Sequence, residues 1–120
     1  MRQYFFNIIL SLIVLSLFAG CSKVSDEEVL LARQAVKEGA LLLDVRTAKE
    51  YKEKHIQGAK NLPIQVLDKV YTYLPKDTEI VVYCRTGSRS EVAAKFLREQ
   101  GFKVHDVATQ EDWEREIQIK

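Results

Sequence analysis

The stretch Ile80-Val81-Val82-Tyr83-Cys84-Arg85-Thr86-Gly87-Ser88-Arg89-Ser90 decides how this chain is read. An apolar run ends on a cysteine and passes into a short basic loop with one glycine. Val92, Ala93, Phe96 and Leu97 follow at the spacing of one buried helical face. Strand, loop and helix in that order set the loop over the positive end of a helix, with backbone N–H groups turned inward. With Arg85 and Arg89 added, the cradle suits negative charge on Cys84 or on a group attached to it. Gly87 permits a positive φ inside the ring. Thr86 and Ser88 contribute backbone N–H groups and hydroxyls. A cysteine after an apolar strand can be no more than a small core residue, but Arg-Thr-Gly-Ser-Arg would line a core badly, so Cys84 reads as a nucleophile.

The elements on either side continue the pattern. Ser25 with Glu28 makes a capping box, and Val29, Leu30, Ala32 and Val36 carry a helix to Gly39. Ala40 to Val45 is apolar except for Asp44, as expected of a strand buried on both faces of a parallel sheet. Thr47 and Glu50 form a second capping box opening a short helix to about Lys54, and residues 58–63 read as a turn, a brief strand and a stop. A helix is expected over Ile64–Leu74, a strand over Glu79–Tyr83, a helix over Ser90–Gln100, a strand over Phe102–Val107 and a last helix over Gln110–Ile119. Alternating strands and helices predict an open parallel α/β sheet with helices on its faces. Ligands of such sheets lie at the carboxyl ends of the strands, where Asp44 and Cys84 both fall.

The first twenty residues stand apart from this pattern. Met1-Arg2 gives a short positive start, Tyr4 to Phe18 an apolar run diluted by Asn7, Ser11 and Ser16, and Ala19-Gly20-Cys21 a small-residue ending. The run falls short of the roughly 20 apolar residues of a membrane-spanning helix and is expected to be a signal peptide, residues 1–20. Small residues before Cys21 resemble the lipobox of bacterial lipoproteins, with Phe18 where that family usually has an aliphatic residue. The resemblance implies a lipidated Cys21, a linker to residue 24, an exported domain over residues 25–120 and a membrane-anchored protein facing the periplasm or cell exterior. With Cys21 lipidated, Cys84 would have no disulfide partner within the chain.

The 18 basic residues balance the 17 acidic ones once Arg2 is removed, which argues against nucleic acid as a partner. No metal or other cofactor is implied, and a monomer is expected.

Leu42-Leu43-Asp44-Val45-Arg46, Glu50-Tyr51, His55-Ile56-Gln57-Gly58-Ala59, Asn61-Leu62-Pro63 and the Cys84–Arg89 loop together resemble the single-domain rhodanese family, over residues 25 to 113. That resemblance implies a three-layer sandwich with a central, mostly parallel sheet. It also implies a sulfurtransferase, in which the Cys84 thiolate takes a sulfane sulfur from a small anion such as thiosulfate, sulfite leaves, and cyanide or a thiol removes the sulfur. A persulfide is an anion that needs hydrogen-bond donors more than a base, and the loop offers no candidate base. Four residues separate Cys84 from Arg89, whereas related cysteine-dependent phosphatases and arsenate reductases place one residue more in the loop, so the tighter ring favours sulfur over phosphate. A rhodanese-like sulfur carrier with slow turnover is the alternative.

Arg85 and Arg89 are expected to hold donor or product anions. Asp44 is expected to support the site by pairing with a loop arginine, and Arg46 by pairing with Glu50. His55 reads as a packing residue at a turn and His105 as an ordinary strand residue. Lys49, Lys52, Glu53 and Lys54 read as a solvated face. One departure stands out: rhodaneses commonly carry a Gly-Gly pair before the final helix, and here Val107-Ala108-Thr109-Gln110 leads to Asp112-Trp113. The Trp matches and the glycines do not, which bears on donor access.

Overall fold

The computed structural model describes residues 24–120; the expected signal peptide and Cys21 lie outside them. The elements in order are α1 (Asp26–Lys37), β1 (Leu41–Asp44), α2 (Ala48–Glu53), β2 (Lys60–Asn61), α3 (Ile64–Val70), a 3₁₀ turn (Tyr71–Tyr73), β3 (Ile80–Cys84), α4 (Ser88–Glu99), β4 (Val104–Thr109) and α5 (Gln110–Glu114). The four strands are all parallel, in the order β2-β1-β3-β4. Leaving β1, the chain first moves outward to β2 and then crosses back to β3. The switch point therefore lies between the carboxyl ends of β1 and β3, where such sheets open a crevice.

Period-two alternation divides the core into two layers. On one face Leu43, Val45, Ile80, Val82 and Cys84 pack with Leu67 of α3 and Ala93, Ala94 and Leu97 of α4. On the other, Leu42, Val81, Tyr83 and Val107 pack with Ala32 of α1, Ile56 and Ala59, with Trp113 against them. Helices on both faces complete the expected three-layer sandwich. Both expected capping boxes form, Ser25 with Glu28 and Thr47 with Glu50.

Several boundaries differ from the sequence expectation. The helix after the loop begins at Ser88, two residues early, because Gly87 at φ +97° serves as its N-cap. Val92 is 60% exposed and is no part of the buried face, which runs through Ala93, Ala94 and Leu97 instead. The helix from Ile64 stops at Val70 and tightens into the 3₁₀ turn. The last strand is Val104–Thr109 rather than 102–107, and the final helix ends at Glu114, where Arg115 is extended at ψ 145°.

Candidate active site

Cys84 is the last residue of β3 and is almost fully buried, with a free thiol. The Gly87 N–H donates to its Sγ at 3.1 Å. The first intrahelical bond of α4 runs from the Glu91 N–H to the Gly87 carbonyl at 3.0 Å, so the amides of Ser88, Arg89 and Ser90 precede the ladder. Buried Ser90 donates its hydroxyl to the same carbonyl at 3.0 Å. That bond holds the loop's third residue at the start of a twelve-residue helix, and the helix's positive end lies beside the thiol. The Thr86 and Ser88 hydroxyls lie 3.2 Å apart and engage each other. Arg85 is exposed.

Arg89 does not stand free at the loop mouth. It forms a two-pronged pair with Glu50 of α2, at 2.7 Å to Oε1 and 3.0 Å to Oε2. Hydrogen bonding from Arg89 is the main reason the Glu50 carboxyl is drawn down to about 2. The same contact raises the Arg89 guanidinium, with a smaller contribution from the field of Cys84. The pair ties the first turn of α4 to α2 across the crevice.

The pairings expected for Asp44 and Arg46 are corrected. Asp44 meets no loop arginine, because strand alternation turns its side chain to the face opposite Cys84, and Arg46 does not bind Glu50. They bind each other: Arg46 Nε donates to Asp44 Oδ1 at 2.9 Å and Arg46 Nη2 to Asp44 Oδ2 at 2.6 Å. Tyr83 donates its hydroxyl to Asp44 Oδ2 at 2.9 Å and accepts the Ile56 N–H at 3.1 Å. Burial is the main reason the Tyr83 phenol is pushed above its ordinary value. Arg46 also reaches the Lys54 carbonyl at 2.6 Å, and Asn61 donates to the backbone carbonyls of Asp44 and Arg46. Their function is architectural: the network locks the carboxyl end of β1 to β2, β3 and the segment after α2. His55 stacks on Tyr51 at 3.8 Å between ring centroids, consistent with a packing role. His105 meets Glu79 at 2.8 Å, a hydrogen-bond partner that the sequence alone does not assign.

Glu50, expected to pair with Arg46, pairs with Arg89 instead. Three further residues that shape the site are not picked out by the sequence alone. Ser90 lies three positions after Gly87, the offset at which a first-turn hydroxyl reaches back to a cap carbonyl. Tyr83 belongs to the alternate face of the strand that carries the cysteine. Ala108 holds φ +61°, the one non-glycine with positive φ among the described residues. Between Val82 and Cys84 the register with β4 gains a residue, and Ala108 is part of that bulge. Its N–H donates to Asp106 Oδ1 at 2.9 Å, and burial raises the Asp106 carboxyl.

A nearly buried thiol at a strand end, ringed by a short loop and facing a helix N-terminus at a sheet switch point, marks the candidate site of this α/β domain. The family profile described as rhodanese-like domain matches residues 27–110, and the chain belongs to that family. It is 39% identical over 77 residues to a sulfurtransferase of Allochromatium vinosum, covering 64% of this chain and 72% of that protein. It is 37% identical over 78 residues to YrkF of Bacillus subtilis, named as a sulfur carrier protein, covering 63% of this chain and 42% of that one. Identity is also 37% over 62 residues to the thiosulfate sulfurtransferase PspE of Escherichia coli, covering 50% of this chain and 60% of that protein. A rhodanese-related protein of Thermoplasma volcanium superposes with TM-score 0.63 at 29% identity, over 71% of this chain and 85% of that one.

Proposed function

We propose that this chain is an exported sulfurtransferase that moves a sulfane sulfur from a small anion such as thiosulfate to a thiol or cyanide through a persulfide on Cys84. One observation carries the reading: the Gly87 N–H held 3.1 Å from Cys84 Sγ at the start of α4. In the first step the thiolate attacks the outer sulfur of thiosulfate, the sulfur–sulfur bond breaks and sulfite leaves with the electron pair. The terminal sulfur of the resulting persulfide is an anion at neutral pH, and the loop amides are the donors that stabilise it without a general base. With Arg89 engaged by Glu50, Arg85 is the loop cation left to guide the donor anion. Arg85→Ala is expected to raise the thiosulfate KM by about fivefold with a smaller effect on kcat, because it removes one exposed charge interaction worth about 1 kcal/mol. Measured steady-state kinetics check this.

The anchor and the signal peptide are part of the same proposal. Residues 1–20 direct export, Cys21 is acylated, and the domain over residues 25–120 works outside the cytoplasm as a monomer. The similarity to YrkF favours a second reading, a slow carrier that holds sulfur for a partner. Mass spectrometry after incubation with thiosulfate tests both: the gain of one sulfur atom, absent in Cys84→Ser, is expected, and no gain overturns the proposal. Rapid multiple turnover with cyanide separates the enzyme from the carrier. Hydrolysis of an aryl phosphate that disappears in Cys84→Ser would instead restore phosphate chemistry.

A further inference from the structure

Asp106 lies on the α4 face of the sheet, the face that carries Cys84. It stands opposite Val82 in the ladder and two residues after Val104, and both of those side chains pack on that face. Such a layer is a costly place for a carboxylate, and burial accordingly raises the acid above its ordinary range. Ser90 and Arg98 of α4 favour the ionised form, and Glu91 of the same helix opposes it.

The carboxyl braces the loop from two sides. Its Oδ1 accepts the Ala108 N–H at 2.9 Å, an Asx turn that holds Ala108 at φ +61°. In that conformation Ala108 closes on Gly87, with its Cβ 3.2 Å from the place a Gly87 Cβ would occupy. From the first turn of α4, Ser90 bonds the same carboxyl and also donates its hydroxyl to the Gly87 carbonyl at 3.0 Å. Ser90 is fully buried, so its hydroxyl is enclosed with these two oxygens. Gly87 is thus bounded by Ala108 at its Cα and by Ser90 at its carbonyl, and its N–H is the one that meets Cys84 Sγ at 3.1 Å.

We infer that Asp106 is a positioning residue of the Cys84 loop, which acts through Ala108 and Ser90 to hold the Gly87 N–H on the sulfur. Hydrogen-bond geometry, and not charge, performs this role. An ionised carboxylate near an anionic sulfur opposes it, so the charge by itself works against the site. The effect on sulfur loading rests on the sulfur-transfer reading, whereas the effect on the thiol does not.

The test compares Asp106→Asn, Asp106→Ala and Ser90→Ala in the full chain. Asparagine and alanine both remove the charge, but asparagine keeps an oxygen for the Ala108 N–H and offers an amide to Ser90. Alkylation of Cys84 by iodoacetamide at pH 7, located by peptide mass, is read first, because it needs the thiolate and no sulfur donor. Asp106→Ala is expected to react about tenfold more slowly than Asp106→Asn, and Ser90→Ala about tenfold more slowly than wild type, the loss of one hydrogen bond to an anion. Asp106→Asn should recover wild-type reactivity. Single-turnover loading with thiosulfate should then show the same losses in the maximal rate, with the half-saturating concentration unchanged. Equal reactivity of Asp106→Ala and Asp106→Asn, or losses that fall on the half-saturating concentration, overturns the inference. If Asp106→Ala does not fold, the other two variants decide: wild-type reactivity of Ser90→Ala or a tenfold loss in Asp106→Asn overturns it. Alkylation in the expected order by a protein that takes up no sulfur refutes the sulfur-transfer reading and leaves the positioning role standing.

Discussion

At the scale of single residues, Gly87 and Ala108 determine the shape of the loop together. Gly87 holds φ +97°, and a Cβ placed on it would lie 3.2 Å from the Ala108 Cβ. Gly87→Ala therefore meets a left-handed backbone cost of about 1–2 kcal/mol in addition to that contact. It should also move the N–H away from Cys84 Sγ, so thiosulfate loading is expected to slow more than stability falls. Ala108 has its own cost at φ +61°, a left-handed backbone held without a glycine. Ala108→Gly is expected to stabilise the fold by about 0.5–1 kcal/mol, the remainder after glycine's larger unfolded-state entropy offsets part of the relieved strain. Chemical denaturation of the two single variants and the double variant checks both claims. In the double variant the contact is relieved while the dihedral cost at residue 87 stays, so the two changes should couple favourably.

Between elements, two ion pairs hold the site and they differ in kind. Glu50–Arg89 joins α2 to the first turn of α4 and is partly open to water, with side-chain exposures of 17% and 30%. A carboxyl with a depressed folded-state pKa contributes stability that is present above its unfolded value and is lost as pH falls through its folded value. For Glu50 that window runs from 4.5 down to about 2. The contribution is about 1–2 kcal/mol once screening by solvent is allowed for. Thermal melts from pH 6 to 2 should show the wild type losing an increment in this window that Glu50→Gln lacks. Asp44–Arg46 is buried, with side-chain exposures of 0% and 11%. Removing one partner strands the other charge inside the fold, so Asp44→Ala is expected to cost about 3–5 kcal/mol. Arg46→Lys should also be damaging, because an ammonium cannot span the carboxylate and the Lys54 carbonyl in the same fork. A denaturant midpoint for Arg46→Lys equal to wild type would contradict that account.

For the whole molecule, the described domain needs no staple beyond its two core layers, and its thiol is left for chemistry. The consequence belongs to the N-terminal region and is tested in cells. Wild-type protein is expected in the membrane fraction and to incorporate labelled fatty acid. Cys21→Ser should abolish labelling and release the exported domain, since each buried acyl CH₂ holds it by about 0.8 kcal/mol. Wild-type protein found unlabelled in a soluble fraction would overturn the anchor.

Local chemistry made much of this protein legible without coordinates. The Thr47 and Glu50 capping box, the apolar runs around Leu42 and Val81 and the Cys84–Arg89 loop each depend on neighbours a few positions apart, and such contacts are written along the chain. The α/β alternation, the parallel sheet and the sulfur at a strand end followed from them. Which arginine meets which carboxylate did not. Arg46 and Arg89 each had more than one carboxylate within reach in the sequence, and the choice rests on strand alternation, which turns Asp44 away from Cys84, and on the crossing that brings α2 over the first turn of α4. Ala108 in a glycine's conformation is likewise a product of register between distant segments. Only the assembled sheet sets that register, because the bulge and the close approach to Gly87 exist only once β4 pairs with β3.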